Sequence, residues 1–86
     1  MRIAGKLEYM PELRFTPSGK PLCTFDVRAD TGQLVHCEVW EELGEELADL
    51  GLQPGVRLGM QGGFRNRYYG GGVKVRFVVR EYAVVQ

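Results

Sequence analysis

Apolar and polar residues alternate with a period of two over much of the chain, most clearly from Cys23 to Arg28. Cys23, Phe25 and Val27 fall on one face and Thr24, Asp26 and Arg28 on the other, as in a strand with one side buried. Asp30-Thr31-Gly32 turns the chain, and a return strand runs from Leu34 to Trp40. Val35, Cys37 and Val39 form its core face, while Leu34, His36, Glu38 and Trp40 share the opposite one. Upstream, Ile3 to Leu7 reads as a first strand in which Gly5 marks a bulge or a tight bend. Met10-Pro11-Glu12 breaks it, Leu13-Arg14-Phe15 is a brief extended piece, and Pro17-Ser18-Gly19-Lys20 is a turn by composition.

After Trp40 the period changes. From Glu41 to Leu50, Leu43, Leu47 and Leu50 recur at helical spacing with acids on the other face. Acids near the start suit the helix dipole, and Gly51 is placed as a C-cap. Alternation returns from Val56 towards Tyr69, with Val56, Leu58, Met60, Phe64 and Tyr68 on the inward phase. Gly59, Gly62 and Gly63 allow the strong bending that a small closed barrel requires. Gly70-Gly71-Gly72 is a loop, and a last strand from Val73 to Val84 puts Val75, Phe77 and Val79 inside and Lys74, Arg76 and Arg80 outside. Three strands, a helix and two strands is the order of an OB-fold. The expected fold class is therefore all-β: a five-stranded OB-fold barrel with one α-helix between strands 3 and 4, formed by residues 1–86 as a single domain.

Composition agrees with this picture and narrows it. With 44% hydrophobic and 26% charged residues the chain suits an ordinary soluble globule, and twelve glycines point to turns and bent strands. A chain of 86 residues has a thin core, which partner subunits would help to stabilise. No apolar run approaches a membrane span and Met1-Arg2-Ile3-Ala4-Gly5-Lys6 has no signal-peptide core, so a cytoplasmic protein without membrane contact is expected. Cys23 and Cys37 are too few for a disulfide framework or a thiolate metal site, and both lie on apolar faces as small hydrophobes. The net charge is zero but unevenly spread. Six acids lie between Glu38 and Asp49, which leaves eleven basic residues against five acidic ones elsewhere. Binding follows that local field rather than the total.

The outward faces carry the candidate chemistry. Trp40 sits on a polar face, where an indole needs a base, the rim of the barrel or another subunit to pack on. Tyr69 is outward on the fourth strand, in phase with Arg65 and Arg67, and Lys74 and Arg76 follow the glycine loop. Rings can take bases while cations neutralise phosphates. His36 is the only histidine, and no serine or cysteine assembles a catalytic triad around it. The helix acids read as a solvated face rather than a metal site, and Gly70-Gly71-Gly72-Val73-Lys74 lacks the ending of a phosphate loop. No cofactor, no metal and no enzymatic activity are expected.

Several stretches resemble a known family. Ala4-Gly5-Lys6-Leu7 and Pro11-Glu12-Leu13-Arg14-Phe15-Thr16-Pro17-Ser18-Gly19-Lys20 look like the opening of bacterial single-stranded DNA-binding proteins. Glu38-Val39-Trp40-Glu41-Glu42-Leu43-Gly44-Glu45-Glu46-Leu47 is similar to that family's third strand and helix, and Gly62-Gly63-Phe64-Arg65-Asn66-Arg67-Tyr68-Tyr69 to its fourth strand. The resemblance spans nearly the whole chain in order. It implies non-catalytic binding of single-stranded DNA in replication, recombination or repair, with Trp40 and Tyr69 stacking and Arg65 and Arg67 lining the strand. Lys74, Arg76, His36 and Leu34 complete the candidate site. Leu34 stands where the family usually has a tryptophan, His36 where it has an arginine and Glu42 where a lysine is common. The Asp30–Gln33 hairpin is shorter than the family's basic loop, and the four departures imply weaker binding or a shorter site. The resemblance also implies a homodimer or homotetramer, although the first strand, in a region that helps to pair subunits, begins almost at Met1. The chain stops at Gln86 without the linker and acidic tip that recruit replication and repair proteins, so recruitment through a tail is not expected. Pro17-Ser18-Gly19-Lys20-Pro21-Leu22-Cys23-Thr24-Phe25 and the short length also look like the primosomal replication protein N branch. That branch implies a tail-less adaptor acting mainly through protein contacts. DNA and RNA remain equal here, because stacking reads neither sugar.

Overall fold

The computed structural model describes residues 1–85, with Tyr69 described by its backbone alone. In chain order the elements are β1 (Arg2–Leu7), β2 (Glu12–Phe15), β3 (Pro21–Ala29), β4 (Leu34–Trp40), α1 (Glu41–Asp49), β5 (Arg57–Tyr69) and β6 (Gly72–Val85). Five strands close into a ring, β1–β3–β4–β6–β5 and back to β1. All of these pairings are antiparallel except β4 with β6, which joins Cys37 to Phe77 and Glu38 to Val78 in parallel. This is the expected OB-fold barrel, with α1 between the third and fourth ring strands.

The brief extended piece at Leu13–Phe15 is β2, a strand outside the ring. It pairs with the first half of β3, from Phe15 opposite Pro21 to Glu12 opposite Thr24. β1 takes the second half, from Leu7 opposite Val27 to Gly5 opposite Ala29. Gly5 makes no bulge, because its register runs unbroken against both neighbours. It is needed for closeness: a Cβ there would lie 2.2 Å from the Arg28 carbonyl oxygen.

The alternating residues build one core: Leu7, Cys23, Phe25, Val27, Val35, Cys37, Val39, Leu58, Met60, Phe77 and Val79, closed by Leu47 of α1. Burial pushes the thiol of Cys23 up to about 11 and that of Cys37 up to about 12, so both stay protonated near neutrality. They are not cross-strand partners, since Cys23 faces Val39 and Cys37 faces Phe25. Helix α1 sits against β3 and β4, and Gly44 lets it do so, a Cβ there being 2.3 Å from the Val39 carbonyl oxygen. Leu50 does not complete the helix face. It caps α1, and the left-handed turn at Gly51 carries it off the barrel, half-exposed; Leu43, Ala48 and Leu52 pack there instead.

Three further expectations are corrected at the far end of the β5–β6 hairpin. Phe64 and Val75 are about half-exposed and Tyr68 is 77% exposed, although all three share the inward phase. The hairpin runs past the barrel, where alternation continues but there is no interior to fill. A bulge lies further back: between Gln61 and Gly62 the partner steps from Glu81 to Val79, which leaves Arg80 as the extra residue. Gly62 fits there because a Cβ would meet the Val78 carbonyl oxygen at 1.9 Å. No helix among the described residues is long and apolar enough to cross a membrane.

Two measurements check these constraints. Gly62→Ala is expected to destabilise the fold by about 1–3 kcal/mol in urea unfolding, because the obstructing atom is backbone and cannot turn aside. Arg57 grips Asp30 with both terminal guanidinium nitrogens, tying the β3–β4 turn to β5 and holding the Asp30 carboxyl below its ordinary value. A depressed folded-state value means stabilisation that is complete above the ordinary aspartate range and lost as the pH falls through the depressed value. Asp30→Asn should therefore lower Tm near neutrality, and the difference from the native chain should close in acid.

Candidate nucleic-acid interface

The outward face of β4 presents Leu34, His36, Glu38 and Trp40 in the expected alternation, but they are not equivalent. His36 is exposed, Leu34 and Trp40 are half-buried, and Glu38 is only 6% exposed. Glu38 is covered by two of the candidate residues. Its Oε1 accepts from the Trp40 indole Nε1–H at 3.3 Å and from Arg67 Nη2 at 2.7 Å. The Arg67 guanidinium carbon also lies 5.7 Å from the centre of the indole ring, within cation–π range. One buried carboxylate thus fixes a ring on β4 and a cation from the hairpin relative to each other. It also cancels the charge of Arg67, since a buried carboxylate needs a cation beside it.

Trp40 is held from the chain side as well. It is the last residue of β4 and the N-cap of α1, and Glu41 follows at φ 59, the only positive φ outside glycine among the described residues. A side chain in that conformation costs roughly 1–2 kcal/mol, and such strain gathers where a neighbour's direction matters.

The hairpin supplies the cations. Arg65 pairs across the strands with Arg76, and Arg67 with Lys74. Directly opposed residues share a face, so four cationic side chains lie on one side of two strands, Arg67 among them paired with Glu38. Arg65 and Lys74 are exposed, Arg67 and Arg76 half-buried. His36 lies opposite Asp26 on β3, with Nδ1 2.6 Å from Oδ1. One cleft runs over Thr24, Asp26, His36 and Arg76 towards Tyr9 and Met10; a second runs over Leu34, His36, Lys74 and Arg76 to Phe64.

The structure therefore gathers Trp40 with Arg67, and Leu34, His36, Lys74 and Arg76 along the clefts. Arg65 joins them through its register with Arg76. Tyr69 closes β5 opposite Gly72, but its side chain lies outside the described residues. Glu41, Glu42, Glu45 and Glu46 of α1 line neither cleft among the described residues, and Glu46 accepts from the Tyr82 hydroxyl at 2.8 Å. The four helix glutamates thus stay off both clefts, but Glu38, the first of the six acids, meets the cationic arm through Arg67. Among the described residues no three His, Cys, Asp or Glu side chains gather as a metal site.

Sequence reasoning missed three participants. Glu38 was one of six acids until its two partners appeared, one of them 29 positions away. Phe64 has the inward phase, yet its ring stands half-exposed over Phe77, edge to face with centroids 5.1 Å apart. Tyr9 falls between strands, where alternation assigns no face, and is exposed beside the first cleft.

No protein-family model matches the chain. It is 32% identical over 89 residues to "Single-stranded DNA-binding protein 3" of Listeria innocua, an alignment covering 92% of this chain and 55% of that protein. It is 33% identical to "Single-stranded DNA-binding protein 2" of Streptomyces coelicolor, over 78% of this chain and 40% of the relative. It is 32% identical to the single-stranded DNA-binding protein of Mycobacterium bovis, over 78% of this chain and 49% of the relative. The chain thus spans about half the length of these curated relatives. The closed OB-fold ring and this relatedness agree: over most of its length the chain is similar to bacterial proteins named single-stranded DNA-binding proteins.

Proposed function

We propose that this barrel binds single-stranded DNA without catalysing a reaction, in replication, recombination or repair. The observation that carries the reading is the convergence of an outward, half-buried Trp40 with the cations Arg65, Lys74 and Arg76 on one face of the hairpin, Arg67 being held beside the indole by Glu38. A polyanion with flat, unpaired bases answers both features: phosphates relieve the cations and bases cover the ring. The names of the relatives support the same reading. Tyr69 belongs to it by its place at the end of β5. The reading includes assembly into a homodimer or homotetramer, in which so small a barrel would gain burial.

A second reading, an adaptor that works through protein contacts, has its own support. β2 lies at the edge of the sheet and exposes Leu13 and Phe15, with Tyr9 and Met10 exposed just before it. It predicts capture of a protein partner that survives Arg65→Ala and Arg67→Ala, together with feeble strand affinity.

Titration with oligo(dT) at low salt, followed by the emission of Trp40, separates the two. Quenching with saturation is expected, and Trp40→Ala should lose about 1–3 kcal/mol of binding free energy. Unchanged emission and unchanged gel mobility would reject strand binding. Arg65→Ala should flatten the dependence of log K on log salt by roughly 0.7, the value for one phosphate contact on a single strand. Glu38→Gln should do the reverse. It keeps an acceptor for the indole but releases the charge of Arg67, so the salt slope should steepen by about 0.7. The same change should cost about 1–3 kcal/mol of fold stability, because Arg67 loses its buried counter-ion and keeps only a bond to a neutral amide oxygen.

A further inference from the structure

The two clefts, of about 560 and 430 Å³, meet at His36 and Arg76, which line both. A strand passing from one cleft to the other must cross these side chains. His36 is half-exposed there, and its Nδ1 is held by Asp26. A carboxylate only accepts, so Nδ1 carries the hydrogen of that bond and Nε2 is left as the variable atom. In the neutral ring Nε2 is an acceptor, which a phosphate oxygen cannot use, and the pair carries the negative charge of Asp26. In the protonated ring Nε2–H is a donor, and the pair is neutral. A single proton therefore turns His36 from a side chain with nothing to donate to a phosphate into one that can hold it beside Arg76.

The charges facing His36 decide the balance. From β3 there is Asp26; from β6 there are Arg76 and Lys74; from β2 there are Glu12 and Arg14, paired with each other at 3.0 Å. Cys37, the neighbour on β4, is buried on the core side with its thiol protonated. With the β2 pair self-compensated and Glu38, two residues along β4, held by Arg67, the carboxylate of Asp26 is the negative charge beside His36, and an arriving phosphate would add a second.

We propose that His36 and Arg76 form a seat for one backbone phosphate, and that His36 takes up a proton from solvent when the seat fills. The proposal rests on the single-strand reading given above. Its consequence is reciprocal: the strand raises the proton affinity of His36, and acid raises the affinity for the strand. Nδ1–H stays on Asp26, the new Nε2–H donates to a phosphate oxygen, and Arg76 donates to the same phosphate.

The test is oligo(dT) affinity at fixed ionic strength from about pH 8 to about pH 5.5, the span over which histidine changes charge. It compares the native chain with His36→Gln and His36→Arg. The native chain is expected to tighten roughly five- to tenfold towards acid. His36→Gln should be flat across the range, and His36→Arg should be tight and flat. Parallel profiles for the native chain and His36→Gln would overturn the phosphate seat while leaving strand binding intact. Absence of binding at every pH would sink the single-strand reading, and the seat with it. A measurement on the native chain alone completes the test: the NMR titration midpoint of His36 should move up when oligo(dT) is added. An unmoved midpoint with saturated strand would overturn the proposal.

Discussion

Two parallel rungs, Cys37 with Phe77 and Glu38 with Val78, close the barrel and set everything on its outer surface. On the inner side they bring Cys37 and Phe77 into the core, both essentially without solvent contact. On the outer side they put Arg76 of β6 next to His36 of β4, and they seat Glu38 where Trp40 and Arg67 can cover it. A slip of one residue would send every side chain of β6 to the other face. The packing of the core and the arrangement of the facet are thus consequences of one register. The glycines at positions 5 and 62 serve the neighbouring pairings, β1 with β3 and β5 with β6, because each admits a backbone oxygen where a methyl group would not fit.

Charge is distributed over the facet with a clear division of labour. Arg67 is committed to Glu38 and serves to orient the indole, while Arg65, Lys74 and Arg76 gather on the same face of the arm. His36 is committed through one ring nitrogen and available through the other. A surface on which every cation was already balanced would have little to offer a phosphate backbone. One on which none was balanced would place the ring less definitely, because the indole takes its bearings from the Glu38 carboxylate.

The barrel was largely legible because burial imposes a period of two on its strands. Cys23, Phe25, Val27, Val35, Cys37 and Val39 were read inward and are inward. The same rule fails where its cause ends. Past the barrel, Phe64, Val75 and Tyr68 keep the phase, but there is no interior to bury them. The helix face fails at Leu50 for a related reason, since the chain has already turned away. Of the candidate site, the outward positions of Trp40, His36, Arg65, Arg67, Lys74 and Arg76 followed from alternation. The clamp at Glu38 did not, because it depends on which strands become neighbours. The pairing of His36 with Asp26 is intermediate, as the β3–β4 hairpin places them opposite once its turn is known.

The most direct measurement is a backbone NMR map of the chain with and without a short oligo(dT). Perturbations are expected on the outward positions of β4 and on the β5–β6 arm, centred on Trp40, His36, Arg65 and Arg76, with α1 and its acids unaffected. A map centred on α1 or on the β1–β5 face, or no perturbation with the strand in excess, would contradict the assignment of this facet.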